Sequence, residues 1–168
     1  MESVIIVDRA LVADTWTLLR EANPVPAHGD IIVPLALWLT QRGALGRRSG
    51  RTGVWLAPSD DPAALAADCE RLPLIAIDFP QFTDGRGYSI ARLLRERHGF
   101  AGELRAIGDI GRDQLFYLAR VGFNAFVLKP GQDTAAARMA FADFSDAYQS
   151  SVAEPRPPYR RRLEGALA

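Results

Sequence analysis

The chain reads as an α/β domain built on a mostly parallel sheet, and three observations carry that reading. From Thr52 onward an apolar run of about five residues ends at a turn signal, a helical pattern follows, and the cycle repeats through four strand–helix units. Parallel neighbours need a crossover between them, and the intervening helix supplies it. The chain has 168 residues, 48% of them apolar and 24% charged, which is the balance of an ordinary globular protein with enough apolar residues for one core. The pattern favours an open doubly wound sheet, with a partial TIM-like barrel as the alternative. A complete barrel of eight units needs roughly 200 residues or more.

Taken in order, SVIIVDRALVADTWTLL reads as two short strands around a turn near Asp8 to Ala10, and these extend the sheet. EANPVPAHGD, with two prolines, an Asn and a Gly, is a loop. VPLALWLTQRGALG predicts a helix with Pro34 in its first turn and Gly43 as its stop. The four units follow. VWLAP leads through Ser59, Asp60 and Pro62 into DPAALAADCERL, and LIAID leads through FPQFTDGRG into YSIARLLRERHG. ELRAIGD then leads into RDQLFYLARVG, and AFVLKP leads through GQD into TAAARMAFADFSDAYQ. Residues 1–150 form a single α/β domain on this reading. Residues 151–168, with three prolines and four arginines and no apolar period, form a flexible basic tail.

Formal net charge is zero, so no global field drives binding to nucleic acid or to a membrane surface. The clearest local basic stretch is 86–120, with seven arginines. The opening MESVIIVDRALVADTW matches neither a signal peptide nor a transit peptide, and no apolar stretch approaches the roughly 20 residues of a membrane span, so a cytoplasmic protein is expected. Cys69 is the single cysteine and sits at helical spacing from Leu65 and Leu72, the position of a small buried hydrophobe. One cysteine rules out a cysteine-ligated iron–sulfur cluster and a four-cysteine zinc site. His28 and His98 show no ligand-type spacing. No cofactor is evident, and a non-covalent flavin stays compatible with the sequence.

In parallel α/β sheets ligands sit beyond the carboxyl ends of the strands. That rule selects Asp78, Asp109 and Lys129 at strand ends, and Asp84, Arg86 and Ser89 in the loop FTDGRGYS. Asp78, Asp84 and Asp109 are the candidates for acid, base or divalent-metal chemistry. In the loop, Gly85 and Gly87 allow close backbone approach, the following helix offers unpaired N–H groups, and Arg86 or Arg92 could add a planar donor fork for an oxyanion. The same residues also read as a turn in which Asp84 or Ser89 caps a helix. Glu103 and Arg105 share one strand face opposite Leu104 and Ala106. They form a structural ion pair at the strand's start, or Arg105 enters a polar interior beside Asp78. Lys129, the one lysine beside nineteen arginines, marks a chosen ammonium or chance.

DFPQFTDGRGYSIARLLRERHGF and GELRAIGDIGRDQLFYLARVGFNAF, together with VPLALWL and GVWLAP, resemble the signature of a bacterial family of unknown function. Its members carry the label of an oxidoreductase involved in sulfite reduction. The matching positions are Phe79, Asp84, Gly85, Arg86, Gly87, Tyr88, Ser89, Arg92, Arg95, Glu103, Arg105, Gly108, Asp109, Asp113 and Gln114. The resemblance implies a role in sulfur assimilation, with the sulfite reductase hemoprotein subunit as the expected partner and a small oxyanion as a further ligand. It implies a ligand- or partner-binding surface at Asp84, Gly85, Arg86, Gly87, Tyr88, Ser89, Arg92 and Arg105. The alternatives are a small enzyme acting on an anionic substrate and a purely structural subunit.

Overall fold

The structure is a computed structural model that describes residues 3–21, 24–143 and 147–166. Eight strands form one sheet: β1 (Val4–Val7), β2 (Ala10–Ala13), β3 (Trp16–Leu18), β4 (Asp30–Pro34), β5 (Thr52–Leu56), β6 (Leu74–Phe79), β7 (Glu103–Gly108) and β8 (Ala125–Phe126). Their spatial order is β2-β1-β8-β7-β6-β5-β4-β3. From β3 to β8 every neighbouring pair is parallel, and β1 lies antiparallel to both β8 and β2. Because those six strands follow chain order without a reversal, the winding is that of the partial-barrel alternative. The result is a mixed α/β half-barrel.

Side-chain parity divides the strands between two cores. Ile31, Val33, Val54, Leu56, Ile75, Ile77, Phe79, Leu104, Ala106 and Phe126 pack against the helices on the outer face. Ile32, Leu74, Ala76 and Ile107 pack with Trp16, Leu18, Trp55 and Val127 on the inner face. Central strands buried on both faces read as continuous apolar runs, which is why LIAID was legible as a strand.

The outer face is covered by α1 (Leu35–Leu45), a 3₁₀ turn at Pro62–Asp68, α2 (Arg86–Glu96), α3 (Leu115–Arg120), and α4 (Thr134–Ala137) with its 3₁₀ extension to Ala142. In α2 the buried residues Gly87, Ile90, Ala91 and Leu94 fall at i, i+3, i+4 and i+7, one stripe of an amphipathic helix. Cys69 is buried there, as its spacing predicts, and burial pushes its thiol pKa up. Among the described residues no helix is long and apolar enough to cross a membrane.

Three elements differ from the sequence expectation. Trp16–Leu18 is a third N-terminal strand. Asp30–Pro34 is also a strand, so Pro34 ends β4 instead of opening the helix, with ψ at 149°, and α1 runs through Gly43 to Leu45. Residues 151–158 return to the domain, where the Ala153 N–H donates to the Arg120 carbonyl at 3.4 Å, and α5 (Pro158–Ala166) follows in the segment expected to be a flexible tail.

β2 and β3 lie at opposite ends of the strand order, yet only Asp14 and Thr15 separate them in sequence. Three Cα steps span at most about 11 Å, so the sheet curls until its two edges meet. Both strands run in the direction of β8, and the chain therefore bridges the seam by leaving β1 and joining β4. This curl buries Leu74 and Ala76 completely although, among the described residues, no helix residue joins the cluster on their face.

Candidate functional site

The curl gives the inner face two ends of different character. At the start of the strands, Arg105 is 2% exposed. It donates from Nε to Glu103 Oε1 at 2.7 Å and from Nη1 to both carboxylate oxygens of Asp14, at 2.9 and 3.0 Å. Asp14 is the seam residue, so Arg105 fastens β7 to the junction of the two sheet edges. Beside it Arg51 donates to Asp30 at 2.9 Å from Nε and stacks over Trp16 with its guanidinium 4.7 Å from the ring centroid. That hydrogen bond holds the Asp30 pKa below its usual range. Of the two readings of Arg105, the geometry is that of the ion pair. Its neighbour on β6 is Ala76, whereas Asp78 faces Ile107.

The strand C-terminal ends form the other end, here termed the mouth. Asp78 closes β6 on the inner face, opposite Arg20, which continues the Trp16, Leu18, Arg20 alternation beyond β3. Arg20 Nη1 lies 2.9 Å from Asp78 Oδ1 but outside hydrogen-bond geometry, so that solvent-shielded oxygen has charge contact without a hydrogen bond. The Arg20 guanidinium stacks over Trp55 at 5.3 Å, and Trp55 is itself fixed by donating to the Leu19 carbonyl at 2.9 Å. Gly108 makes the close approach possible. Its φ is +100°, and a Cβ there would stand 2.4 Å from the Phe79 carbonyl oxygen and 2.9 Å from Asp78 Oδ1.

Asp109 and Lys129 complete the mouth. Lys129 Nζ donates to Asp109 Oδ1 at 3.0 Å, and the backbone N–H of Phe82 donates to Oδ2 at 3.1 Å. The hydrogen bond from Lys129 lowers the Asp109 pKa. Asp109 thereby ties the FTDGRGYS loop to the ends of β7 and β8. Trp55 and Arg20 were not singled out from sequence. The period-2 spacing of Trp16, Leu18 and Arg20 carries the signal, and it is visible only once Trp16–Leu18 is recognised as a strand.

The FTDGRGYS residues themselves build a turn. Arg86 donates from Nε to Asp84 Oδ1 at 3.0 Å and from Nη2 to Oδ2 at 2.7 Å, and its backbone N–H donates to Oδ1 at 3.2 Å. That fork keeps the Asp84 pKa low. Gly87 is a packing residue, since a Cβ would meet the Phe79 ring at 2.5 Å. Gly85 has no such neighbour. Arg92 pairs with Glu96 one turn along α2, at 2.8 Å, and Ser89 is exposed on the same helix. Tyr88 packs edge-on against Phe79, and burial raises its pKa. Tyr88 and Arg92 line a cleft outside the half-barrel, so that cleft and the ring of strand-end charges do not coincide. Arg95, also in the signature, is structural: it donates to the carbonyls of Gly122, Phe100 and Gly102 at 2.9, 2.6 and 2.9 Å.

Asp78 and Asp109 thus share the mouth while Asp84 lies on the exposed turn, and each is matched by a different cation: Arg20, Lys129 and Arg86 respectively. Among the described residues no three His, Cys, Asp or Glu side chains group to hold a metal ion. What the fold and site define is a half-barrel α/β protein whose inner face is locked by buried ion pairs at one end and carries half-exposed, singly paired cations at the other. Residues 53–159 match the model of a bacterial protein family of unknown function, DUF934, and the chain belongs to that family. No curated protein matches it.

Proposed function

We propose that the protein is a cytoplasmic accessory component of assimilatory sulfite reduction, and that it binds a small oxyanion of the sulfite class, or the reductase presenting one, at the strand C-terminal mouth. The observation that carries this reading is the state of Arg20. It is 47% exposed, its position is set by the Trp55 ring, and it meets Asp78 without spending a hydrogen bond there. A guanidinium so placed keeps a planar donor fork for an oxyanion, and Lys129 stands across the mouth as a second cation. The location agrees with the general position of ligands in barrel-type α/β proteins. The pathway rests on the likeness of FTDGRGYS and GELRAIGD to the signature described above.

A second reading is favoured by one observation, the buried Asp78 oxygen without a hydrogen bond. In that reading Asp78 and Asp109 act as acid and base on a small anionic substrate. Asp84 takes no part, since its carboxylate is held by Arg86 on an exposed turn.

Co-purification of the chain with the reductase hemoprotein subunit, with and without sulfite, tests the proposal. Binding that strengthens with sulfite and is lost in Arg20→Gln is expected. Absence of the reductase from the purified material, together with no calorimetric signal for sulfite on the chain alone, would overturn it.

A further inference from the structure

Between α2 and α3, on the outside of the half-barrel, lies a cleft of about 590 Å³ that none of the mouth residues lines. Its size falls within the roughly 300–1,000 Å³ of small-molecule sites, and like them it is mostly apolar with a few polar groups. Phe82, Tyr88 and Tyr117 supply aromatic walls, Val121 an aliphatic one, and Arg92 and Arg120 stand at its border. Phe82 and Tyr117 are 48% and 52% exposed, so two large rings meet solvent at one place. Such a concentration is the mark of a surface that receives something.

The polar groups are arranged for an anion. Gln114 accepts the Gly111 N–H on its amide oxygen at 2.9 Å, and its side chain and that of Tyr88 both line the cleft. The Tyr88 hydroxyl has a proton to give to a bound acceptor, and burial raises its pKa. Arg92 is held by Glu96 in an exposed pair one helical turn apart, which breaks at little cost, so its guanidinium can turn to a ligand. Arg120 is fixed, donating to the Gln149 carbonyl at 2.6 Å. Arg92 and Arg120 border the cleft with Asp113, and once Arg92 turns from Glu96 to a ligand the lining carries one more cation than anion.

We propose that this cleft binds a planar aromatic small molecule carrying one anionic group. The ring lies among Phe82, Tyr88 and Tyr117, and the anion meets Arg92 and the Tyr88 hydroxyl. Nucleotides and aromatic carboxylates share this chemistry. The site is independent of the mouth, and each stands or falls without the other.

Fluorescence titration of the full chain with 8-anilinonaphthalene-1-sulfonate, and with N-phenyl-1-naphthylamine, which has the same rings without the sulfonate, tests it. Arg92→Gln and Tyr117→Ala change exposed side chains, and circular dichroism confirms their fold. One sulfonate dye per chain is expected. Arg92→Gln should weaken it about tenfold, the scale of one charged hydrogen bond, and leave the neutral dye unchanged. Tyr117→Ala should weaken both dyes. Displacement by AMP identifies a nucleotide-type ligand, and displacement by indole-3-acetate an aromatic carboxylate. The proposal is overturned if neither dye binds with defined stoichiometry, if both variants bind as the parent does, if Arg92→Gln weakens the two dyes equally, or if neither competitor displaces the dye. Tyr117-dependent capture of a protein without dye binding would likewise overturn it, in favour of a protein-docking surface.

Discussion

At the start of the strands Arg105 is 2% exposed and divides its donors between Asp14 and Glu103, whereas at their ends Arg20 and Lys129 are 47% and 41% exposed and each meets one carboxylate. What separates Arg105 from the two mouth cations is its burial and its second carboxylate. A buried charge must be fully matched, and breaking its partnership leaves an uncompensated ion in a poor solvent. A half-exposed pair costs little to open, because water and salt already share its charges. One end is therefore suited to holding the sheet edges together, and the other to exchanging an internal partner for a ligand.

The largest effect should come from breaking the closed end. Arg105→Ala leaves Asp14 and Glu103 without their cation at the seam and should cost about 3–5 kcal/mol in urea unfolding, the range for a disrupted buried pair. Arg20→Gln at the open end should cost no more than about 1 kcal/mol. Equal costs would erase the distinction between the two ends.

Next in size is a packing contrast within one loop. Gly87→Ala drives a methyl into the Phe79 ring and should destabilise by roughly 1–3 kcal/mol, while Gly85→Ala, whose Cβ meets nothing, should be close to neutral. Thermal melting of the two variants, side by side, measures it. A neutral Gly87→Ala would mean that α2 does not rest on Phe79 as described.

At the mouth, Lys129→Met should raise the Asp109 pKa back toward the ordinary aspartate value, because the hydrogen bond from the ammonium is what lowers it. A lowered carboxyl pKa contributes stability that is complete above the unfolded-state value and is lost as pH falls through the folded-state value. The parent should therefore lose this contribution only below the normal aspartate range, and the variant should lack that acid limb. Carboxyl ¹³C titration by NMR reads the shift directly, and an unchanged Asp109 would show that the pair does not form in solution.

The smallest effect is expected at Arg86. Its fork is occupied by Asp84 on an exposed turn, so Arg86→Ala should melt close to the parent. If Arg86→Ala and Arg86→Lys both support growth on sulfate, the turn reading stands. If both fail to support it while folding normally, the fork acts on something outside the chain.

The parallel strands after Thr52 were legible because strands buried on both faces read as unbroken apolar runs punctuated by Gly, Pro and Asp. Asp30–Pro34 was hidden by its proline, which equally suits the first turn of a helix. Trp16–Leu18 was hidden by its length of three residues. That omission had a consequence for the site, since without the third strand neither the seam at Asp14 nor the inward parity of Arg20 can be derived. Asp78, Asp109 and Lys129 were legible from the strand-end rule alone. The glycines of FTDGRGYS were not, because a glycine that admits a ligand and one that admits the Phe79 ring look the same in sequence.

The central claim is that the open mouth is functional and the closed end structural, and one paired measurement tests it most directly. Growth on sulfate of a deletion strain carrying Arg20→Gln, with the melting temperature of the purified variant, separates the two roles. The account predicts a variant that melts close to the parent and fails to restore growth. A variant that melts normally and restores growth fully would contradict it.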